Sequence, residues 1–284
     1  MKYIRSSIII LTSAFCLFLY QSCSTCSRQQ TVENIILDLD LADLATDSLY
    51  LSMGLEVLYA LPNPIKVSML IKKWGVGYQS ALLHDPAKAP SYLTKKNMAV
   101  NFGIYVTDMT TAGLYGQTQT VLRYKQALLQ LVEGLGLQSA VDQKMMQRLE
   151  DNLHNKNEVL RIISETYASC TSFLQAEDRH LYALAMLSGG WIEGMYIATN
   201  KLDENQAAYE SRIAQVIVNN KQTFSILWQA LSDLTTIPED AIILTSQMSG
   251  LARLLDTVTD NVDAVTAVKI KEQIHLLRSN FIKE

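Results

Sequence analysis

The sequence predicts an all-α fold, a bundle of about nine to ten helices around two central, nearly uncharged ones. Three observations predict it. From Ser48 onward, apolar residues recur at helical spacing between short polar or proline-marked breaks. No segment alternates apolar and polar residues between turn signals, as a half-buried strand would. Two long stretches carry a single charge each: Asp108 between Asn97 and Leu122, and Glu193 between Leu181 and Asn200. A helix without a charged face has no side for water, so it belongs at the centre of a bundle.

Taken in order, the chain opens on a leader. Lys2 and Arg5 form a short positive region, and an apolar run follows from Ile8 to Tyr20. That run suits the core of a secretory signal and is too short for a bilayer, which needs about 20 residues. Leu19-Tyr20-Gln21-Ser22-Cys23 then resembles a bacterial lipobox, with a small residue directly before the cysteine. The resemblance implies cleavage after residue 22 and lipidation at Cys23, although Tyr20 and Gln21 are bulkier than usual there. Several acyl chains on one terminus hold a protein to a membrane firmly, where one chain alone is marginal. Cys23-Ser24-Thr25-Cys26 is formally a C-x-x-C pair, but Ser27 stands where haem attachment needs histidine, and the pair lies in a polar tether. Residues 23–47 read as the lipidated terminus and tether, and 48–284 as a single all-α domain. Within that domain Cys170 is the only thiol and reads as buried and inert, so no internal disulfide is possible there.

The helices are expected near 48–60, 65–83, 91–116, 118–134, 139–153, 156–175, 179–201, 205–234, 238–257 and 263–281, the eighth broken near Asn219-Asn220. Pro62-Asn63-Pro64, Asp85-Pro86 and Ala89-Pro90 mark breaks, because proline suits a first turn and disrupts an interior. Asn155 with Glu158, Asp203 with Gln206, and Thr236 with Glu239 have capping-box spacing. Gly134 and Gly136 are candidate stops.

Both uncharged helices are glycine-rich, with Gly103, Gly113 and Gly116 in one and Gly189, Gly190 and Gly194 in the other. Glycine costs a helix about 1 kcal/mol against alanine, which close backbone packing can recover. An offset of 85 superimposes Asp108 on Glu193, suggesting duplication of a helix-pair unit. A carboxylate inside a buried helix must be paired, hydrogen-bonded or protonated. Asp108 and Glu193 are therefore the candidate site, with Tyr105, Tyr115, Tyr182, Trp191 and Tyr196 close by in sequence. Paired acids among aromatics suit a cationic or polyhydroxylated ligand. The structural alternative is that each acid bonds neighbouring Tyr, Thr or Asn and fixes helix packing.

Other chemistry is thinly represented. Glu177-x-x-His180 and Glu272-x-x-His275 share the spacing of di-metal bundles. Yet the apolar stripe Ile270, Ile274, Leu277, Phe281 leaves Glu272 on the wet face, so no metal is expected, and no cofactor either. His84 and His154 fall near helix ends and read as solvated or capping. Zinc-protease, nucleophile-elbow, phosphate-loop and dinucleotide signatures are missing from the sequence. The net charge is −4, and loss of Lys2 and Arg5 with the leader would deepen it by two. A mildly acidic chain without Lys/Arg clusters is a poor partner for nucleic acid, whose affinity comes from phosphate neutralisation.

Tyr59-Ala60-Leu61-Pro62-Asn63-Pro64, Trp74-Gly75-Val76-Gly77-Tyr78, Asn101-Phe102-Gly103-Ile104-Tyr105-Val106-Thr107-Asp108 and Gly189-Gly190-Trp191-Ile192-Glu193-Gly194 resemble a group of uncharacterised all-helical lipoproteins of Bacteroidota. The resemblance spans roughly residues 55–200 and implies an anchored helical protein of the cell envelope, without an activity or catalytic residues. Ser24 to Gln30 holds no acid, which favours the periplasmic face of the outer membrane over the cell surface. The expected function is thus a non-enzymatic envelope lipoprotein binding a protein partner or a small ligand. The alternative is a hydrolase or transferase using Asp108 and Glu193.

Overall fold

Side-chain caps set where several helices begin, because each satisfies an N–H that the first turn leaves unpaired. In a computed structural model, which describes residues 77–200, 206–234, 239–259 and 262–283 with Ser68 and Lys72 before them, eight α-helices follow one another. Thr94 accepts from the Asn97 amide at 3.1 Å and opens α1, Lys95–Leu114. Helix α2, Thr118–Leu135, stops at Gly136, whose φ of 72° lets the Leu137 amide reach back to the Val132 carbonyl at 2.9 Å. Asp142 caps α3, Gln143–Asp151, through the Lys144 amide. Asn155 caps α4, Lys156–Ala176, through the Glu158 amide, but the box does not close, because the Asn155 N–H donates to the Asn152 carbonyl and the Glu158 carboxylate pairs with Arg148 and Arg161. Then come α5, His180–Asn200; α6, Gln206–Ser232; and α7, Glu239–Asp256. Helix α8, Ala264–Phe281, is capped by Asp263 through the Thr266 amide.

The fold is all-α, and among the described residues every regular element is helical. The eight helices match eight of the expected ranges to within a few residues. The described residues belong to one compact unit, Ala60–Glu284. The leader, Cys23, the 23–47 tether, the 48–60 helix and the candidate caps Asp203 and Thr236 lie outside the described residues.

Three local expectations are corrected. The 65–83 helix does not run its full length. Ser68 and Lys72 are helical, but residues 77–79 have no regular structure and Ser80–Leu82 form a 3-10 turn. Gly75 and Gly77 weaken a helix here, and the chain is instead drawn onto the bundle where Arg278 donates to the Leu82 carbonyl at 3.2 Å. Helix α6 does not break at Asn219-Asn220 but runs on to Ser232, with the Asn220 side-chain amide donating to the Val216 carbonyl one turn back, at 2.8 Å. Gly134 lies inside α2 facing Met98, so Gly136 alone of the two is the stop.

The two uncharged helices are the centre of the bundle. Every residue of α1 from Ala99 to Leu114 is buried, and so is α5 from Leu181 to Thr199 except half-buried Tyr182 and Tyr196. They pack directly on each other. Helices α2 and α4 flank α1, α6 and α8 flank α5, and α7 closes over α6 and α8. Glycines allow the central approach. A Cβ on Gly103 would sit 1.9 Å from the Met186 carbonyl oxygen, and one on Gly189 would sit 1.9 Å from that of Val100. The two contacts are reciprocal, each glycine lying against a carbonyl three residues before the other. The Thr107 hydroxyl stands 3.2 Å from the Gly190 carbonyl oxygen across the same seam. At this seam the carboxylates of Asp108 and Glu193 meet.

Candidate functional site

Asp108 and Glu193 are each 0 % exposed and come from the two central helices. The bundle answers the cost of burying them with one cation. Arg278 of α8 grips Glu193 through two bonds, Nε to Oε2 at 2.6 Å and Nη2 to Oε1 at 2.9 Å. Such a bidentate, charge-assisted pair adds both energy and geometric specificity. The guanidinium carbon also lies 4.0 Å from the centre of the Tyr196 ring, so both its edge and its face are engaged.

Asp108 is held differently. Its Oδ2 accepts the His84 backbone N–H at 2.9 Å, and the Tyr124 hydroxyl lies 3.3 Å away. Its Oδ1 receives no donor although it is buried. The carboxyls of Asp108 and Glu193 are hydrogen-bonded to each other, and two carboxyls can share such a bond only if one of them carries a proton. The electrostatics agree. Burial first, then the charge of Glu193 and the carboxyl–carboxyl hydrogen bond, raise Asp108 well above the usual carboxylate range, against the opposing His84 amide and Arg278. Burial also raises Glu193, while Arg278 and the bond from Asp108 pull it back. Burial disfavours the Arg278 cation, but Glu193 outweighs that and keeps it charged. These shifts favour the pair's proton on Asp108 and its negative charge on Glu193 beside the Arg278 cation.

A strap crosses this cluster. Residues 77–94 comprise the 3-10 turn Ser80–Leu82, a bend at Leu83 and the 3-10 turn Pro86–Ser91. Besides the bonds to Asp108 and Arg278, Tyr124 donates to the His84 carbonyl at 2.6 Å and Tyr105 to the Asp85 carbonyl at 2.9 Å. The His84 ring stacks on Tyr105, with centroids 5.4 Å apart and planes 16° from parallel. Its Nε2 lies 2.5 Å from the Tyr92 hydroxyl. His84 is thus no solvated end residue. Burial, then Arg278, lowers its pKa to about 4, so its ring is neutral at neutral pH.

Of the aromatic residues singled out in sequence, Tyr105 and Tyr196 join the cluster. They lie three residues before Asp108 and three after Glu193, on the same helix faces. Trp191 is two residues from Glu193, roughly 200° around the helix, and packs on Phe224 of α6 with centroids 4.9 Å apart. Tyr115 rests against Tyr78, and Tyr182 under the Arg179 guanidinium. Glu177 caps the end of α4 and His180 opens α5, so their spacing does not lie on one helix. Among the described residues, no three metal-binding side chains converge.

Sequence reasoning missed Arg278, Tyr124 and the role of His84. One signal was available. Arg278 lies four residues after Ile274, on the buried stripe of α8, where a cation demands an anionic partner. The strap contacts gave none, because they run largely through backbone atoms.

A separate apolar cleft lies between α1, α2, α3 and α4, lined by Phe102, Val106, Met109, Val132, Leu149 and Ile162 among others. Its free space is about 30 Å³, room for roughly two waters. No helix among the described residues is long and apolar enough to cross a membrane. No family model, curated protein or solved structure matches the chain.

Proposed function

We propose that the protein is a non-enzymatic helical module of the bacterial cell envelope, lipid-anchored through Cys23 on the periplasmic side of the outer membrane, that binds a protein partner. The leader, the lipobox-like Leu19 to Cys23 and the resemblance to Bacteroidota lipoproteins support the anchor. The observation that carries the partner-binding part is the second apolar face of α8. Its inner face buries Ala267, Ile270, Ile274, Leu277 and Phe281. Val265, Val268 and Leu276 lie on the opposite side, within about 80° of arc, and are 64, 47 and 54 % exposed. Lys269 and Glu272 share that side, giving the mix of apolar and charged groups that suits a protein surface. On α7, Ile242 is 57 % exposed as well. Helix α8 needs only one apolar face to fold, and the second serves recognition.

The enzyme alternative finds less support. A hydrolase or transferase using Asp108 and Glu193 needs substrate at two acids that are wholly buried and occupied with each other, Arg278 and the strap. A small ligand in the apolar cleft would have to displace its lining.

The test is a photo-crosslinking residue at Val268 in the full chain, activated in intact envelopes. The expected result is one discrete protein adduct, lost on Leu276→Lys and not formed from the exposed Gln222 of α6. Equal labelling from both positions, or none from Val268, defeats the partner-binding reading. Separately, Cys23→Ser should move the protein into the soluble periplasmic fraction, and retention with membranes would defeat the anchor.

A further inference from the structure

We propose that the 77–94 strap is a proton-gated latch, closed while the Asp108–Glu193 pair holds its one shared proton and released when that proton is lost to solvent. The proposal is independent of the anchoring and partner-binding reading. It starts from how the strap is held. Of residues 77–94 only Ala89 and Tyr92 are buried, and Leu93 is 83 % exposed. Tyr92 is among the largest fully buried side chains and anchors the C-terminal end of the strap, whereas none of residues 77–88 is buried, so apolar burial contributes little to closing that part. Its attachments are polar, and they converge on the cluster: the His84 N–H on Asp108, the Leu82 carbonyl on Arg278, the His84 carbonyl on Tyr124 and the Asp85 carbonyl on Tyr105. An element with few buried apolar contacts opens at lower cost than the core. Here opening also admits water to two acids.

Every charged or titratable group facing the pair is accounted for. Asp108 meets Glu193 from α5, Arg278 from α8, Tyr124 from α2, and Tyr105 from its own helix. With Asp108 ionised, two adjacent carboxylates would share one cation, a state that burial and mutual repulsion both oppose. The His84 N–H favours the anion but is one neutral dipole against a full charge. Opening the strap hydrates both carboxylates and relieves the conflict. The strap brings a second titrating group, His84, which faces Arg278, Asp85, Lys88, Tyr92 and Tyr105.

The sign follows from the two groups together. Closure raises Asp108 above its ordinary 3.8, so the closed state keeps a proton that the open state loses once pH exceeds that value. Closure lowers His84 from 6.5 to about 4, so between those values the open state gains a proton that the closed state lacks. Closure also raises Glu193, so only once the closed Glu193 has ionised do the changes at Asp108 and His84 cancel, and from there to pH 6.5 opening moves no net proton. Above 6.5 opening releases one proton, and the opening constant should rise about tenfold per pH unit until the closed pair itself ionises.

The test is hydrogen exchange of the strap amides in the full chain across this range, corrected for the intrinsic rate at each pH. Wild type should show protection that levels off once Glu193 has ionised, stays level up to about pH 6.5, and falls about tenfold per unit above that. Asp108→Asn keeps the shape, accepts from His84 and donates to Glu193, but has no proton to lose. It should abolish the alkaline loss and, with only His84 titrating, lose protection as pH falls below 6.5. His84→Gln retains the backbone N–H and should extend the wild-type loss down through the level region. The latch is overturned if wild-type protection stays constant to the pH at which the whole bundle opens. It is equally overturned if both substitutions leave the wild-type profile unchanged.

Discussion

At the scale of single residues, burial decides what chemistry is available. Cys170 is 0 % exposed, and burial pushes its thiol up to about 12, which starves it of the reactive thiolate. With Cys16, Cys23 and Cys26 replaced by serine, iodoacetamide at mildly alkaline pH should leave the folded protein unmodified. The same reagent in urea should alkylate it fully. Equal rates in both states would mean that the thiol is exposed in the native bundle. Cys170, Asp108 and Glu193 were legible in the sequence for a common reason. Each is a polar or reactive group in an apolar helical setting, and burial follows from the setting alone. Arg278 was harder to read, because Lys269 and Lys271 beside it are ordinary cations of a partly wet helix. Register separates it from Lys269 but not from Lys271, which lies seven residues earlier on the same face and is half-buried. His84 was misread as solvated because its partners Tyr92, Tyr105 and Tyr124 come from the strap and two helices, and short-range patterns cannot bring those together.

At the scale of elements, the helices were legible and the strap was not. Helical periodicity over long segments survives local irregularity, so eight ranges were recovered. The strap's course is set by contacts with residues 105, 108, 124 and 278, which no window around residue 84 contains. The glycines show the same division. Their abundance in α1 and α5 signals close packing, while which of them face the partner helix depends on register. Gly103→Ala or Gly189→Ala would press a methyl group into a backbone carbonyl that cannot rotate away. Each should force the central helices apart and cost at least about 3 kcal/mol, the upper end for overpacked cores. Gly134→Ala meets only the flexible end of Met98, and its cost should be far smaller. Urea midpoints of the three variants measure the contrast. A Gly103→Ala protein as stable as Gly134→Ala would show that the α1–α5 approach is looser than described.

At the scale of the whole molecule, the acid cluster joins regions far apart in the chain. Four residues, at 84, 108, 193 and 278, tie the strap to the two central helices and to the last one. A second tie parallels it, where the Asn101 amide of α1 donates to the Phe281 carbonyl at the end of α8, at 2.9 Å. Removing one charge from the cluster and removing only its proton are therefore different perturbations. Glu193→Gln leaves Arg278 buried with no anion, which in comparable sites costs about 3–5 kcal/mol. Asp108→Asn replaces the shared proton by an amide hydrogen and keeps each heavy-atom partner, so near neutral pH it should cost about 1 kcal/mol or less. Arg278→Met strands Glu193 instead and should resemble Glu193→Gln. Combining Arg278→Met with Glu193→Gln removes both charges and should cost less than the two single effects added together. That shortfall measures the coupling between α5 and α8. If Asp108→Asn proved as damaging as Glu193→Gln, Asp108 would have to be the anion that Arg278 compensates, and the proton would sit on the other acid.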